Sequence, residues 1–145
     1  ASDPEGIGAK NAMQLAINEA GIALEQVDYI NTHGTSTPIG DVAEVKAIQD
    51  LFGKHAYYIN LTSSKSMTGH ILGGTGAVEA IISILSMQHG IVTPTINHEE
   101  GDEDPNIDYK LNFTFNQAQQ REIRYAMSNN FGFGGHNACL LFKRI

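Results

Sequence analysis

The chain has 145 residues, and its composition of 41% hydrophobic and 17% charged residues suits a single α/β domain or half of a larger one. A formal net charge of −7 argues against nucleic acid or an anionic membrane surface as partner, and no apolar run reaches the roughly 18 residues of a membrane span. The single cysteine, Cys139, excludes an internal disulfide and a thiolate zinc cage, and it favours a reducing cytoplasm. Because the chain starts with neither a methionine nor a signal peptide, we expect it to be part of something longer.

Helical and strand patterns alternate in the first half of the chain. Apolar residues at helical spacing predict a helix over residues 8–20, and a short buried strand is predicted over residues 27–31. A second helix is predicted from about residue 38 to residue 52, after a polar loop that contains glycine. The next strand is predicted over residues 59–63.

The second half begins with an apolar helix, predicted over residues 77–87, whose composition predicts burial. An extended segment over residues 91–96 leads into an acidic run, 98–105, which we interpret as a solvated surface loop. Two closing strands are predicted over residues 123–129 and 137–142. The order of helix, strand, helix, strand, helix and two strands predicts a layered α/β domain with a mixed sheet flanked by helices.

Three polar or glycine-rich loops each follow a strand pattern, at residues 33–41, 63–76 and 129–136. If those strands lie side by side in a parallel or mixed sheet, all three loops emerge at the same end, where α/β proteins form their sites. His33 and His70 would then face a shared cleft.

Two histidines in one cleft predict an oxyanion site. Each neutral imidazole donates one N–H, and two such donors can stabilise a developing enolate or alkoxide. An ammonium group at Lys65 would disfavour the imidazolium form, and Glu79 on the following helix could pair with that lysine. The alternative, that each histidine is a satisfied structural residue, stays open on spacing alone.

Other chemistries fit the pattern less well. Two histidines without a third ligand at a recognisable spacing make a poor zinc site. Residues 74–79 have glutamate where a dinucleotide fingerprint needs its third glycine, and no serine sits in a nucleophile elbow. Cys139 lies in an apolar closing strand and is interpreted as an inert core thiol. Four further histidines are interpreted as surface or loop residues: His55, His89, His98 and His136.

Four motifs then stand in a characteristic order. They are Asn31-Thr-His-Gly-Thr-Ser-Thr-Pro-Ile-Gly-Asp41, Ser64-Lys-Ser-Met-Thr-Gly-His70, Gly76-Ala-Val-Glu79 and Asn130-Phe-Gly-Phe-Gly-Gly-His-Asn137. Together they resemble the C-terminal half of a β-ketoacyl-[acyl-carrier-protein] synthase, most closely the elongating synthase II type. The resemblance covers essentially the whole chain. One departure is His136, where the family usually has threonine.

The resemblance implies a thiolase-like fold, in which two similar halves pack into a five-layer αβαβα arrangement, usually as a homodimer. Residues 1–145 would form the C-terminal domain, with its first strand and the N-terminal half, which holds the nucleophilic cysteine, outside this chain. The implied function is fatty acid elongation by decarboxylative Claisen condensation, with acyl carrier protein as partner. The substrates ride on its phosphopantetheine, and no metal or separate cofactor is implied.

The resemblance also assigns roles to single residues. His33 and His70 match the two catalytic histidines of a Cys-His-His triad, and Lys65 matches the lysine that supports His70. Glu79 matches the acid that pairs with this lysine. Two more roles concern the substrate path: Thr35 and Thr37 match hydroxyls that hold the phosphopantetheine arm, and Phe133 matches a gating phenylalanine. Cys139 cannot replace the missing nucleophile, so the isolated chain is expected to be inactive.

Other classes of protein remain alternatives. The parent could be a non-catalytic, chain-length-factor-like subunit of a polyketide-type synthase, although the retained histidines and lysine argue against it. A degradative thiolase-like enzyme usually has a second cysteine that this closing loop lacks. A third alternative is structural: the isolated half folds and self-associates through an exposed apolar face. The sequence does not predict the acyl chain length.

Overall fold

A computed structural model describes residues 3–145, with Phe133 described by its backbone alone. The α-helices are α1 (Ile7–Ala20), α2 (Pro38–Phe52), α3 (Lys65–Thr68) and α4 (Thr75–His89). The strands are β1 (Tyr29–Asn31), β2 (Asn60–Thr62), β3 (Ile91–Val92), β4 (Gln119–Gln120), β5 (Tyr125–Phe131) and β6 (Asn137–Lys143). Short 3₁₀ helices lie at Leu24–Gln26, Gly53–Tyr58, Leu72–Gly74 and Phe133–Gly135.

The main sheet has the strand order β2-β1-β5-β6. β1 pairs in parallel with both β2 and β5, while β6 runs antiparallel to β5. This mixed sheet between helices confirms the predicted α/β fold class. Since β1, β2 and β5 point the same way, the loops that follow them emerge at one edge of the sheet, as predicted.

Helices α1 and α2 cover one face of the sheet. In α1, Ala9, Met13 and Ile17 recur every four residues and form its buried stripe. The helix ends at Gly21, whose positive φ of 65° makes the left-handed cap that favours glycine. Pro38 begins α2 at the first helical turn, where its missing N–H costs no hydrogen bond.

Helix α4 covers the opposite face, with its polar side toward the sheet and its apolar side exposed. Its buried residues are mostly polar: Thr75, Glu79, Ser83, Ser86 and Met87. Its exposed side is apolar, with Ile81 exposed to 56%, Ile84 to 37% and Leu85 to 46%. The predicted burial of this helix is therefore wrong for its apolar side. Polar groups turned toward the sheet occupy the inner side, and among residues 3–145 no element covers the exposed parts of the isoleucines and the leucine.

Several short elements differ from the sequence-based bounds. Helix α3 lies inside a predicted loop, and β3 pairs with β4 in a two-residue antiparallel ladder that was not predicted. β5 starts two residues later than predicted and continues to Phe131. Elements of one turn or two residues are too short to show a hydrophobic period, which is why sequence reasoning missed them. Within residues 3–145, no helix combines the length and apolarity that a membrane crossing demands.

Candidate active site

The three loops at the edge of the sheet surround a cleft of about 1000 Å³. Both histidines line it, and their ring centroids lie 5.9 Å apart with the rings perpendicular. The structure therefore brings His33 and His70 together, as the order of strands and loops predicted. Phe131, at the end of β5, lies against the same pair, with its ring centroid 5.7 Å from that of His33.

His33 is held through its backbone. Glu44 on α2 accepts hydrogen bonds from the backbone N–H of His33 and of Gly34, both at 2.9 Å. Gly34 has a positive φ of 37°, and a Cβ atom there would meet the Cβ of Ser63 at 2.8 Å, so that glycine is required. The Ser63 hydroxyl donates to the Gly34 carbonyl oxygen at 2.6 Å and joins the first loop to the second.

The surroundings of His33 keep its ring neutral. Burial lowers the pKa of His33 from 6.5 to about 4, with further lowering by the positive charges of Lys65 and His70. Its Nδ1 is buried and has no hydrogen-bond partner among the described residues. This leaves Nε2 as the ring nitrogen that a ligand in the cleft can reach.

His70, in contrast, is held through its ring. Its Nδ1 accepts the backbone N–H of Leu72 at 3.0 Å and lies 3.3 Å from the Thr75 hydroxyl oxygen. That hydroxyl already accepts the N–H of Ile71 at 2.8 Å, so its own proton is free to point at His70. The Leu72 N–H can only donate and the Thr75 proton is directed at the same atom, so the two contacts together hold a lone pair on Nδ1 and place the ring proton of the neutral form on Nε2.

Lys65 and Glu79 form a buried ion pair behind the histidines. The Lys65 ammonium contacts Glu79 Oε1, and the side chains are exposed to only 5% and 0%. Burial raises the pKa of Glu79, whereas the hydrogen bond and charge of Lys65 oppose that rise. Lys65 does not line the cleft itself; it lines a second cavity of about 690 Å³ behind His70 and Gly34.

The predicted substrate-binding residues lie at the mouth of the cleft. Thr35 and Thr37 both line it, and their hydroxyl oxygens are 3.4 Å apart. The side chain of Phe133 lies outside what the structure describes. Its backbone belongs to a glycine-rich turn in which Gly134 and Gly135 have φ values of 78° and 81°.

Three polar residues of the site were missed by sequence reasoning. Glu44 is 3% exposed and Asn129 is 0% exposed, and Asn129 Nδ2 donates to Glu44 Oε1 at 3.1 Å. Asn130 Nδ2 donates to Glu79 Oε2 at 3.0 Å. A glutamate among the buried apolar residues of α2, and an asparagine pair at the end of a strand, were the available signals.

Two expectations about other side chains can be compared with the structure. Cys139 lies on β6 beside the core, and burial raises the pKa of its thiol to about 12, as expected of an unreactive thiol. Of the six histidines, His33 and His70 lie in the cleft, whereas His136 and His89 are exposed. Among residues 3–145, no three side chains of histidine, cysteine, aspartate or glutamate converge as a metal site needs.

The chemical capacity of the cleft follows from these contacts. His70 offers an N–H whose direction is fixed by hydrogen bonds to the other ring nitrogen. His33 offers a ring that stays neutral at physiological pH. Two neutral donors that face one cleft can stabilise an oxygen on which negative charge develops.

Comparison with known proteins shows which family has a similar sequence. Residues 1–99 match the family described as "Beta-ketoacyl synthase, C-terminal domain". The chain is 52% identical over 142 residues to a 3-oxoacyl-[acyl-carrier-protein] synthase 2 of Staphylococcus aureus (strain COL), a match that covers 98% of this chain and 33% of the relative. The chain thus spans about a third of the length of the curated relatives it matches.

Solved structures are similar over the same extent. One is a type II polyketide synthase acyl carrier protein in complex with its ketosynthase bound to the hexaketide; it has a TM-score of 0.92 and 31% identity over 99% of this chain and 34% of that chain. Another is the ishigamide ketosynthase/chain length factor, with a TM-score of 0.90 and 34% identity over 99% of this chain and 34% of that chain. Both similarities extend through the three loops that form the cleft.

Proposed function

The chain belongs to the β-ketoacyl synthase family, and we propose that it is the C-terminal half of a 3-oxoacyl-[acyl-carrier-protein] synthase of fatty acid elongation. The observation that carries this proposal is the convergence of two histidines on one cleft, with ring centroids 5.9 Å apart and His33 kept neutral. The 52% identity to a 3-oxoacyl-[acyl-carrier-protein] synthase 2 supports the choice of this class of synthase.

The proposed reaction is a decarboxylative Claisen condensation. In malonyl-[acyl-carrier-protein], the bond between the α-carbon and the carboxylate breaks, carbon dioxide leaves, and the electron pair moves onto the thioester as an enolate. An N–H from His33 and another from His70 donate to the enolate oxygen, which gains its charge only in the transition state. The enolate carbon then attacks the carbonyl carbon of an acyl-cysteine thioester and expels the cysteine thiolate.

The remaining site residues have supporting roles in this proposal. Lys65 places a positive charge near His33 and so favours the neutral form of that imidazole, and Glu79 holds the ammonium in place. Thr35 and Thr37, at the mouth of the cleft, would hold the phosphopantetheine arm of acyl carrier protein through their hydroxyls. Phe133 would gate the cleft from the glycine-rich turn. The substrates arrive on the carrier protein, and no separate cofactor takes part.

The proposal assigns the rest of the active site to another part of the protein. Residues 1–145 would be one C-terminal domain, and the nucleophilic cysteine would come from an N-terminal half. The exposed apolar side of α4, with Ile81, Ile84 and Leu85, supports a packing partner beyond this chain. We expect the complete enzyme to be a cytoplasmic homodimer and the isolated chain to be inactive.

Carbon dioxide release from malonyl-[acyl-carrier-protein] by the full-length protein tests the proposal. We compare the wild type with His33→Ala, His70→Ala and the control His89→Ala, which removes an exposed histidine at the end of α4. Removing one oxyanion donor typically costs about 10²–10³ in rate, so each cleft variant should lose at least that much while the control keeps wild-type activity.

The same assay separates the alternative. A ketosynthase/chain length factor is among the similar structures, so a non-catalytic subunit is the second candidate. A wild-type protein that neither decarboxylates malonyl donors nor condenses acyl donors would contradict the proposed activity and favour that subunit. A His33→Ala or His70→Ala variant that decarboxylates and condenses at the wild-type rate would contradict the assigned roles.

A further inference from the structure

We propose that Asn129 and Asn130 are positioning residues that tie the glycine-rich turn to both histidine loops, each through its own buried glutamate. Asn129 reaches the His33 loop through Glu44, and Asn130 reaches the Lys65–His70 loop through Glu79. The inference deepens the function proposed above, because it concerns how the same two histidines are held. It is tested by hydrogen exchange in the full-length protein, without turnover.

The Asn129–Glu44 link joins β5 to the first loop. Asn129 Nδ2 donates to Glu44 Oε1 at 3.1 Å. The same carboxylate accepts the backbone N–H of His33 through Oε1 and that of Gly34 through Oε2. The Asn129 and Glu44 side chains are both buried, so water does not compete for these hydrogen bonds. A displacement of Asn129 would therefore disturb the hydrogen bonds that hold the backbone of His33.

The Asn130–Glu79 link joins β5 to the second loop. Asn130 Nδ2 donates to Glu79 Oε2 at 3.0 Å, while the other carboxylate oxygen contacts the Lys65 ammonium. Lys65 begins α3, the single helical turn that leads to His70. The asparagine amide thus occupies the carboxylate oxygen that the lysine leaves free, and it fixes the orientation of the whole ion pair.

The geometry of a strand explains why one dipeptide reaches both loops. Consecutive side chains of a strand point to opposite faces of its sheet. Asn129 lies on the α1 and α2 face, where its amide also contacts Met13 Sδ at 3.4 Å. Asn130 lies on the α4 face, where a Cβ added at Gly76 would be 3.5 Å from its amide nitrogen. The glycine-rich turn begins two residues after Asn130, so the two asparagines connect this turn to both histidine loops.

The chemistry of the links predicts a distinctive order of variants. Both oxygens of Glu44 accept N–H groups, and those of Glu79 face an ammonium and an amide, so each asparagine must present its donor nitrogen. Replacement by alanine removes that donor. Replacement by aspartate keeps the size but places a like charge on the glutamate. Aspartate should be the more damaging change, but a buried carboxylate is costly in itself. The links are therefore identified by which reporter exchanges faster and not by the total loss of stability.

The experiment measures hydrogen exchange by NMR in Asn129→Ala, Asn129→Asp, Asn130→Ala and Asn130→Asp. The backbone N–H groups of His33 and Gly34 report the first link, and the Lys65 ammonium protons report the second. If a variant loses the free energy of one hydrogen bond to a charged group, the hydrogen-exchange rate at its reporter should rise about tenfold or more. Asn60→Ala is the control, since Asn60 is as buried as Asn129 in the same sheet but donates to Thr114 and Gln119.

We expect each variant to act on its own reporter, with aspartate exceeding alanine at both positions and the Asn60 control moving neither reporter selectively. The inference is overturned if the Asn129 and Asn130 variants move both reporters alike, or if neither alanine variant moves its own reporter more than the Asn60 control does. If an aspartate variant does not fold, the alanine pair decides alone: each must act on one reporter only. Faster exchange at all amides together would show global destabilisation and also contradict the inference.

Discussion

The two histidine loops are held in opposite ways. Glu44 fixes the His33 loop through two backbone N–H groups and leaves the ring nitrogen Nδ1 without a partner among the described residues. The His70 loop fixes the ring itself, because Nδ1 accepts from the Leu72 N–H and lies beside the Thr75 hydroxyl. His33 is half-buried, whereas His70 is exposed to the cleft.

This difference separates two ways to make a neutral donor. His33 is neutral because burial lowers its pKa to about 4, with the Lys65 ammonium and the protonated form of His70 adding to the shift. His70 is a directed donor because its other ring nitrogen is already occupied as an acceptor. The first depends on the electrostatic surroundings and the second on local hydrogen bonds. A change confined to one loop should therefore leave the histidine of the other loop unaffected.

The largest effect should come from breaking the ion pair behind both loops. Lys65→Met leaves the buried Glu79 carboxylate without its cation, which typically costs about 3–5 kcal/mol in the free energy of unfolding. Urea denaturation measures this loss. Lys54→Met, an exposed lysine, is the matched control. The double variant Lys65→Met/Glu79→Gln should recover much of the stability, since no buried charge then lacks a partner. A single variant as stable as the control would contradict a buried ion pair.

The next effect should be confined to the first loop. Glu44→Gln keeps the shape of the side chain but turns an NH₂ group toward one of two backbone N–H donors. We expect a loss of about 1–3 kcal/mol in unfolding free energy, with faster exchange of the His33 and Gly34 amides. Glu19→Gln on the exposed side of α1 provides the control. A shift of the His70 ring nitrogen signals in this variant would break the contrast between the loops.

The third effect depends on pH and belongs to His33. Its pKa is about 4 in the folded chain and 6.5 as a free group, so the unfolded state binds more protons between these values. The stability that the neutral ring contributes is therefore complete above about pH 6.5 and is lost as the pH falls toward 4. The difference in stability between the wild type and His33→Gln should change over that window alone. An NMR titration of His33 with a midpoint near 6.5 would overturn the assignment.

The same contrast explains what the sequence could and could not predict. The helices have enough turns to show an apolar period, and the loops after β1, β2 and β5 were predictable because parallel strands share one edge. Both histidines were therefore found from spacing and motif. Glu44 was not identified from the sequence, because an acidic residue within an apolar helix only interrupts the hydrophobic period. Its role becomes clear when its hydrogen-bond partners are known. The apolar side of α4 was predicted to be buried, but composition does not show which side of a helix the described part of the chain covers.

Asn129 and Asn130 show a different limit. Two adjacent asparagines do not contribute to a hydrophobic period, and the contacts that each makes depend on which face of the sheet it lies on. That follows only once β5 is seen to end at Phe131 instead of Asn129. An error of two residues at a strand end is ordinary for sequence reasoning, and here it hid both hydrogen-bond links to buried glutamates.

The smallest effect should be the most local one. Thr75→Val removes the hydroxyl that faces His70 Nδ1 and accepts the Ile71 N–H, at a cost of about 1 kcal/mol for the lost hydrogen bonding. Nitrogen NMR should then show His70 in a mixture of tautomers, because only the Leu72 N–H still holds Nδ1. Thr75→Ser keeps the hydroxyl and should keep the single tautomer. The pKa of His33 should stay near 4 in both variants, since its causes are burial and charge. If Thr75→Val moved the His33 pKa and left the His70 tautomer intact, the two loops would not be held in the separate ways described above.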